Sequence, residues 1–234
     1  IARKIGYVNA GTVEFLVEAA PEEHFYFLEM NTRLQVEHPV TEAVLGVDLV
    51  QAQLLVAAGG PLPWRQPDLV PRGHAIECRV YAEDPDRGFL PQAGRLHVYR
   101  EPRGPWLRVD SGVEEGSEVS VHYDPLLAKL VSWGETREMA RARAVAALRR
   151  YPVLGIRTNV PFLVRVLEHE CFRQATMDTA FLDANDLTAG TPAADELASA
   201  LAVAAAYDER AETPADAPPD EGPWDRLERW GRIL

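Results

Sequence analysis

The stretch that decides the fold reads Phe27-Leu-Glu-Met-Asn-Thr-Arg-Leu-Gln-Val-Glu-His-Pro39. Polar side chains occupy every second position in it: Glu29, Asn31, Arg33, Gln35 and Glu37. In an extended chain this spacing directs all of them to one side. A solvated edge strand would show the same alternation. The stretch lies between an apolar strand and an apolar helix, however, so we expect much of it to be shielded, and the mixture of carboxylate, amide and guanidinium groups favours a polar site.

A predicted β-hairpin leads into the stretch. Residues 12–17 alternate in character, and residues 25–30 form a second strand that is aromatic and apolar. Pairing of the two strands can bring Glu14 near Glu29. After the stretch, Thr41 is predicted to cap a helix that ends at Gly59-Gly60.

Glu14 and Glu29 form a candidate metal site. Two carboxylates that lie close together repel each other unless a cation lies between them. Mg²⁺ takes oxygen ligands and binds one or two carboxylates together with substrate phosphates. Asn31 offers a third oxygen. A surface pair bridged by an arginine is the alternative, and the polar loop that follows favours the metal.

Beyond the helix, the sequence predicts a linker at 61–71, which holds four prolines, and then a second domain. Short strands are predicted at 74–82, 94–99, 106–110, 118–121 and 127–133. Thr136 is predicted to cap a helix over 137–150, and a second helix follows at 160–167. The apolar stripe expected on the first of these helices comprises Met139, Ala142, Val145, Ala146 and Leu148.

The tail differs from both domains. Residues 188–222 are expected to form an alanine-rich helix, over 193–207, and a Pro-rich linker, and residues 223–234 the start of a following domain. Since the chain starts at Ile1, in what reads as the middle of a domain, we treat it as part of a longer polypeptide.

Composition excludes several classes of protein. The chain has 234 residues and a net charge of −12, which repels phosphate backbones and anionic lipids, so neither nucleic acid nor membrane is predicted as a partner. A hydrophobic share of 47% excludes a disordered chain, and no apolar run reaches the ~18 residues of a membrane span. Cys78 and Cys171 make no disulfide framework, which predicts a reducing, cytoplasmic compartment.

Several reactive residue types are assigned structural roles. His38 is expected to cap or pack the following helix, and Cys78 to be a small buried hydrophobe. Lys129 lies inside an apolar strand, where an ion pair is expected. His122 and Asp124 are explained by an Asp-Pro turn.

The polar stretch, together with its continuation to residue 42, resembles the signature of the biotin carboxylases within the ATP-grasp family. Upstream, Gly11-Thr-Val-Glu-Phe-Leu16 resembles the preceding strand of that family. Downstream, Arg72-Gly-His-Ala-Ile-Glu-Cys-Arg-Val-Tyr-Ala-Glu-Asp-Pro85 resembles the opening of the biotin carboxylase C-terminal domain. The resemblance runs in order to about residue 185. It is strongest to α subunits of acyl-CoA carboxylases of the methylcrotonyl- and propionyl-CoA type.

The resemblance implies an α+β fold in two parts. Residues 1–60 would be the C-terminal part of an ATP-grasp domain. Residues 72–187 would be the C-terminal domain, with helices packed on an antiparallel sheet.

It also implies a two-step reaction. ATP and bicarbonate give carboxyphosphate, and the CO₂ is then transferred to N1 of biotin on a carrier domain. The cofactors implied are ATP, Mg²⁺ or Mn²⁺, and biotin as a carried substrate. The partners implied are the biotin carboxyl carrier domain, a carboxyltransferase subunit, the N-terminal part of the same polypeptide and a second copy in a homodimer.

The family's site residues carry over onto matching positions. The metal site is matched by Glu14, Glu29 and Asn31, and the adenine contacts by Leu16 and Thr179, for which a core or surface role is an equal alternative. The same two glutamates bind ATP through the metal.

The bicarbonate pocket is matched by Arg33, Gln35 and the backbone of Val36. A guanidinium fork suits a planar carboxylate-like anion. Glu37 matches the general base that deprotonates bicarbonate. Arg79 matches the arginine that holds bicarbonate and stabilises the enolate-like oxygen of biotin.

Two other readings stay open. Another ATP-grasp carbon–nitrogen ligase, such as a carbamoyl-phosphate synthetase-like enzyme, would share the metal residues but would not need Arg79. A non-catalytic assembly module of a carboxylase complex would use the fold to dock partner subunits. Because the resemblance puts the phosphate-gripping lysines and the glycine-rich lid upstream of Ile1, the chain alone is expected not to turn over ATP.

Overall fold

The computed structural model describes residues 1–18 and 24–188, and the tail elements predicted beyond residue 188 lie outside them. The first part of the chain holds α1 (Ala2–Ile5), β1 (Thr12–Val17), β2 (Phe25–Asn31), α2 (His38–Leu45) and α3 (Leu49–Ala57). A single 3₁₀ turn, Gln66–Asp68, lies within the predicted linker.

The second part holds strands and then helices. The strands are β3 (His74–Tyr81), β4 (Glu83–Asp84), β5 (Leu90–Pro91), β6 (Gly94–Arg95), β7 (Val98–Tyr99), β8 (Leu107–Ser111), β9 (Glu118–Val119) and β10 (Leu126–Gly134). They are followed by α4 (Arg137–Leu148), β11 (Val153–Leu154), α5 (Val160–Glu168), α6 (Glu170–Gln174) and α7 (Phe181–Ala184).

The predicted hairpin is confirmed. Strands β1 and β2 pair antiparallel, with Glu14 opposite Glu29 and Thr12 opposite Asn31, and a bulge follows Glu14. Most of its apolar side chains lie open to solvent, between 43% exposed for Phe15 and 70% for Phe25, whereas Val13 and Met30 are half-buried. This hairpin therefore presents the polar pair on a strand surface that the described residues leave uncovered.

The helix predicted from Thr41 to Gly59 is two helices bent by 99°. The first begins before Thr41, because Glu37 serves as its N-cap and Pro39 fits its first turn. Gly46 ends it in the left-handed conformation (φ 69°), and the Asp48 side chain caps the next helix by accepting from the Gln51 amide. The sequence pattern predicted one continuous helix because apolar residues continue on both sides of the bend.

The main sheet has β10 at its centre, paired antiparallel with β3 on one side and β8 on the other. This confirms the expectation of an antiparallel sheet with packed helices. The face toward α4 is apolar, with Val80 and Leu130 fully buried, and the Ser132 hydroxyl on this face donates to the Ala140 carbonyl at 2.9 Å. The opposite face turns toward α2 and carries the charged residues described below.

The apolar stripe predicted on α4 is only partly correct. Val145 and Leu148 are buried as expected, but Met139 is 37% exposed and the face against the sheet consists largely of alanines, Ala140, Ala144 and Ala147. Small residues let the helix lie close to β10. At Gly134 a Cβ atom would come within 2.5 Å of the Ala140 nitrogen, so only glycine fits that approach.

Among the described residues, no single helix is both long and apolar enough to cross a bilayer, and α2 with α3 passes that test only as a bent pair. The predicted strand over 94–99 divides into β6 and β7, and the other predicted strands agree with the structure to within one or two residues.

Candidate functional site

The three predicted metal residues lie together at the end of the hairpin. The Asn31 side-chain nitrogen donates to the Glu14 carboxylate at 2.7 Å and to the Glu29 carboxylate at 3.1 Å. Both carboxylates thus point to one spot, and the amide occupies the position between them. Because Glu14 and Glu29 are directly opposite across the hairpin, the pairing register itself produces this convergence.

The donor set suits a small hard cation. Within the described residues no group of three or more His, Cys, Asp or Glu side chains could hold a metal. Two carboxylates and one amide oxygen, however, are the kind of partial set that Mg²⁺ completes with substrate phosphates and water. Rotation of the Asn31 amide by about 180° would exchange its nitrogen for its oxygen and face three oxygens toward the cation.

A cavity of about 500 Å³ lies beside this cluster, and Arg33, Gln35 and Glu37 are among the residues that line it. The Arg33 guanidinium donates to the Gln35 side-chain oxygen at 2.9 Å, and the Gln35 amide reaches the Glu14 carboxylate at 3.5 Å. The polar stretch therefore connects the metal candidates to the cavity through direct contacts.

Arg79, on β3 in the second part of the chain, contacts a residue that lines this cavity. Its guanidinium donates to the Glu37 carboxylate at 2.7 Å. Glu37 and Arg33 both line the cavity, so Arg79 is linked to the cavity through its contact with Glu37. Burial lowers the pKa of Arg79, but the Tyr81 hydroxyl and the nearby carboxylates of Glu37 and Glu77 outweigh it and raise the pKa overall.

Glu77 is a buried carboxylate beside the candidate site that the sequence did not reveal. It lies two residues before Arg79 on the same face of β3, with its carboxylate 3.7 Å from the Arg79 Nε atom. Its side chain is only 5% exposed, and one carboxylate oxygen has no hydrogen-bond partner. Burial raises the pKa of Glu77, an effect that Lys129 and Arg79 only partly offset. The alternation of the sheet could have placed it beside Arg79, but no local signal indicates its burial.

Lys129 lies on β10 directly between Arg79 on β3 and Asp110 on β8. Residues opposite each other in an antiparallel sheet share a face, so the three form a row beneath the polar stretch. The ammonium lies 3.7 Å from the Asp110 carboxylate, which is the ion pair predicted for this lysine. It also donates to the Val36 carbonyl at 3.1 Å, which was not predicted.

A second charged link joins α2 to the sheet. Arg108 donates to the buried Glu42 carboxylate at 2.6 Å. It also donates two hydrogen bonds to the Asp110 carboxylate. Burial raises the pKa of Asp110, but the hydrogen bonds and charge of Arg108 together with Lys129 lower it overall. Glu42 also accepts from the Leu49 amide at 2.7 Å, so this carboxylate ties both helices to the sheet.

The other sequence assignments have mixed outcomes. Cys78 is buried, as expected, and burial raises the pKa of its thiol to about 12. Asp124 accepts from the Leu126 amide in a turn, as expected. Leu16 is 64% exposed on the hairpin, and Thr179 lies in an exposed turn before α7, so their adenine contacts stay predictions.

Two family descriptions match the chain. Residues 1–65 match the ATP-binding domain of the carbamoyl-phosphate synthase large chain, and residues 77–184 match the biotin carboxylase C-terminal domain. Residues 66–76 lie between the two matches and overlap in part with the linker predicted at 61–71.

Similar proteins agree with these matches. The chain is 50% identical to the methylcrotonoyl-CoA carboxylase α subunit of Glycine max over 182 residues, and 50% identical to the propionyl-CoA carboxylase α chain of Mus musculus over 184 residues. Each comparison covers 78% of this chain and 25% of the relative, so the chain spans a quarter of the length of these relatives.

A solved structure is also similar. It is the biotin carboxylase domain dimer of the 2-oxoglutarate carboxylase from Hydrogenobacter thermophilus, in complex with MgADP, ADP and bicarbonate. The TM-score is 0.77 at 40% sequence identity, over 81% of this chain and 42% of that one. The chain therefore belongs to the biotin carboxylases, of which it carries part of the ATP-binding domain and the C-terminal domain.

Proposed function

We propose that this chain forms one side of the active site of a biotin carboxylase, which uses MgATP and bicarbonate to carboxylate N1 of carrier-bound biotin. The observation that carries the proposal is the contact between Arg79 and Glu37, at 2.7 Å. This contact joins the two matched domains at a cavity that Arg33 also lines. An anion that entered there would meet a carboxylate base and guanidinium groups from two directions.

In this proposal, Glu14, Glu29 and Asn31 hold Mg²⁺, which would neutralise charge on the ATP phosphates during phosphoryl transfer. The convergence of both carboxylates on the Asn31 amide supports this role, because such an arrangement is repulsive without a positive group between them. Leu16 and Thr179 are proposed as contacts of the adenine.

Arg33, Gln35 and the Val36 backbone are proposed to bind bicarbonate, and Glu37 to accept its proton. In the described arrangement the Glu37 carboxylate is held by the Arg79 guanidinium at 2.7 Å. The deprotonated bicarbonate oxygen then attacks the γ-phosphorus of ATP, and ADP leaves. The guanidinium of Arg33 remains beside the carboxyphosphate that forms.

Arg79 is proposed to act again when biotin is carboxylated. Loss of the N1 proton from the ureido ring leaves negative charge on its carbonyl oxygen, and a guanidinium at that oxygen stabilises the anion. Carboxyphosphate breaks down to CO₂ and phosphate, the phosphate accepts the N1 proton, and N1 then attacks the CO₂ to form the carbon–nitrogen bond.

The wider assembly is also proposed. The domain boundaries are those expected from the sequence, with residues 1–60 in the ATP-grasp domain and 72–187 in the C-terminal domain. The partners are an N-terminal half that completes the ATP site, a biotin carrier domain and a carboxyltransferase subunit of an acyl-CoA carboxylase. The dimer named for the similar structure supports a homodimer. The cytoplasmic compartment stays a prediction, and several relatives are named as mitochondrial.

The test is ATP cleavage by the complete carboxylase. Cleavage is expected to require bicarbonate and to rise when free biotin is added. Arg79→Met is expected to abolish the rise with biotin. ATP cleavage without bicarbonate would contradict the proposal.

Two outcomes would favour the other readings. Bicarbonate-dependent ATP cleavage whose rate does not rise with free biotin would favour a ligase of the carbamoyl-phosphate synthase type, whose ATP-binding domain matches residues 1–65. Normal carboxylation of biotin by the Arg79→Met variant would favour the non-catalytic assembly module.

A further inference from the structure

We propose that Lys129 and His38 are positioning residues for the bicarbonate pocket, which hold the two peptide units on either side of Val36. The inference rests on the proposed function, because it gives those peptide units a role in anion binding. Neither side chain is placed in contact with substrate.

Lys129 holds the peptide unit after Val36. Its ammonium donates to the Val36 carbonyl at 3.1 Å, although the two residues are 93 positions apart in the sequence. The side chain is only 14% exposed and lies in a strand at the centre of the sheet. Its position is therefore set by the sheet and not by the loop that it contacts.

The surroundings of Lys129 keep its ammonium in place. Asp110, on the next strand, lies 3.7 Å away and is itself fixed by two hydrogen bonds from Arg108. Arg79 is the neighbour on the other strand, and two cations side by side are unfavourable unless anions compensate them. Asp110 and the buried Glu77 supply that compensation.

His38 holds the peptide unit before Val36. Its Nδ1 atom lies 2.8 Å from the Gln35 carbonyl oxygen, and since a carbonyl can only accept, Nδ1 must carry the proton. The side chain is 11% exposed, and its other ring nitrogen lies 3.9 Å from the Glu42 carboxylate. The expected helix-capping or packing role of His38 thus includes a contact with the polar stretch.

These two contacts fix the backbone of Val36. A peptide unit is planar, and in the trans form its N–H points opposite to its C=O. Holding the Gln35 carbonyl therefore sets the direction of the Val36 N–H, and holding the Val36 carbonyl sets that of the Glu37 N–H. Preorganised donors of this kind need no reorientation when an anion binds.

The experiment uses the complete carboxylase and measures the KM values for bicarbonate and ATP, with thermal unfolding as a check of the fold. Lys129→Met is expected to raise the KM for bicarbonate about tenfold, which is the effect of losing one charge-assisted hydrogen bond. The KM for ATP is expected to stay within twofold. Lys129→Arg keeps a cationic donor and should recover most of the loss.

His38 provides an independent variant if Lys129→Met does not fold. His38→Leu is expected to raise the KM for bicarbonate in the same way, and His38→Asn, which keeps a donor near the position of Nδ1, should restore it. The matched control is Arg143→Met. Arg143 also donates to a backbone carbonyl, that of Trp133 at 2.7 Å, but it lies on α4, on the other face of the sheet.

Unchanged KM values for bicarbonate in folded Lys129→Met and His38→Leu variants would overturn the inference. So would failure of both variants to fold, because the two contacts would then support the domain and not the pocket. If the unmodified carboxylase showed no bicarbonate-dependent ATP cleavage, the proposed function would fail first. Unchanged variants in an active enzyme would leave that function intact.

Discussion

At the scale of single residues, Glu37 is the point where the two parts of the site meet. It contacts Arg79 at 2.7 Å, lines the cavity together with Arg33, and serves as the N-cap of α2. The helix fixes its backbone, and the arginine fixes its carboxylate. The base proposed here is thus held from both sides and needs no rearrangement before it accepts a proton.

Glu37→Gln tests this role. Glutamine keeps a hydrogen bond to Arg79 but cannot take a proton, so kcat for bicarbonate-dependent ATP cleavage is expected to fall about a hundredfold or more, with little change in the KM for ATP. Steady-state kinetics on the complete carboxylase measure this. Glu170→Gln, on the surface helix α6, is the control, and a Glu37→Gln variant as active as that control would contradict the assignment.

Glu77 gives a prediction about pH. Because burial raises the pKa of Glu77, the folded protein binds this proton more tightly than the unfolded chain does. Above the raised pKa, ionised Glu77 therefore lowers the free energy of unfolding. This loss diminishes as the pH falls below the raised pKa of Glu77 and the carboxylate is protonated.

Glu77→Gln should consequently unfold at a higher temperature than the unmodified protein at pH 7.5. The difference should shrink as the pH is lowered toward 5. Scanning calorimetry across this range measures it. A variant that is less stable at neutral pH would mean that the ion pair with Arg79 outweighs the burial of the charge.

At the scale of elements, a buried ion pair links α2 to the sheet. Glu42 on this helix is 6% exposed and is paired with Arg108 on β8 at 2.6 Å. Removing one partner of such a pair leaves a buried charge, whereas removing both leaves none.

Arg108→Met is expected to reduce the free energy of unfolding by about 2 kcal/mol. The double variant Glu42→Gln with Arg108→Met is expected to be more stable than that single variant, because the buried charge is gone. Urea unfolding of the single and double variants measures both effects. Additive losses would show that the two residues do not stabilise each other.

The elements were also what the sequence predicted best. Alternation in residues 12–17 and the Thr136 cap are local signals, and both the hairpin and α4 formed as expected. The break at Gly46 was missed, because apolar residues flank it on both sides and only the left-handed backbone reveals it. The contact of Lys129 with Val36 and that of Arg108 with Glu42 join residues 93 and 66 positions apart, so no local pattern could predict them.

At the scale of the whole molecule, the described residues leave one large apolar surface open. Both faces of the hairpin are exposed, with Leu16, Phe27 and Leu28 each more than half accessible. In the proposed carboxylase this surface is covered by the N-terminal half of the ATP-grasp domain. Without that cover, exposed strands of this kind favour association between copies.

The chain on its own is therefore expected to self-associate at micromolar concentration. Replacing Leu16 and Phe25 by lysine should reduce the association, whereas Leu154→Lys, at a position on β11 that is also more than half exposed, should not. Light scattering coupled to size exclusion gives the masses. A strictly monomeric unmodified chain would contradict the expectation.

The central claim is that one cavity receives bicarbonate between Arg33, Glu37 and Arg79 and activates it for attack on ATP. The most direct measurement is the transfer of ¹⁸O from labelled bicarbonate to inorganic phosphate by the complete carboxylase in the presence of biotin. We expect one labelled oxygen in each phosphate formed, and almost no product from the Glu37→Gln variant. Phosphate that takes its new oxygen from water, at the same rate with and without bicarbonate, would contradict the claim.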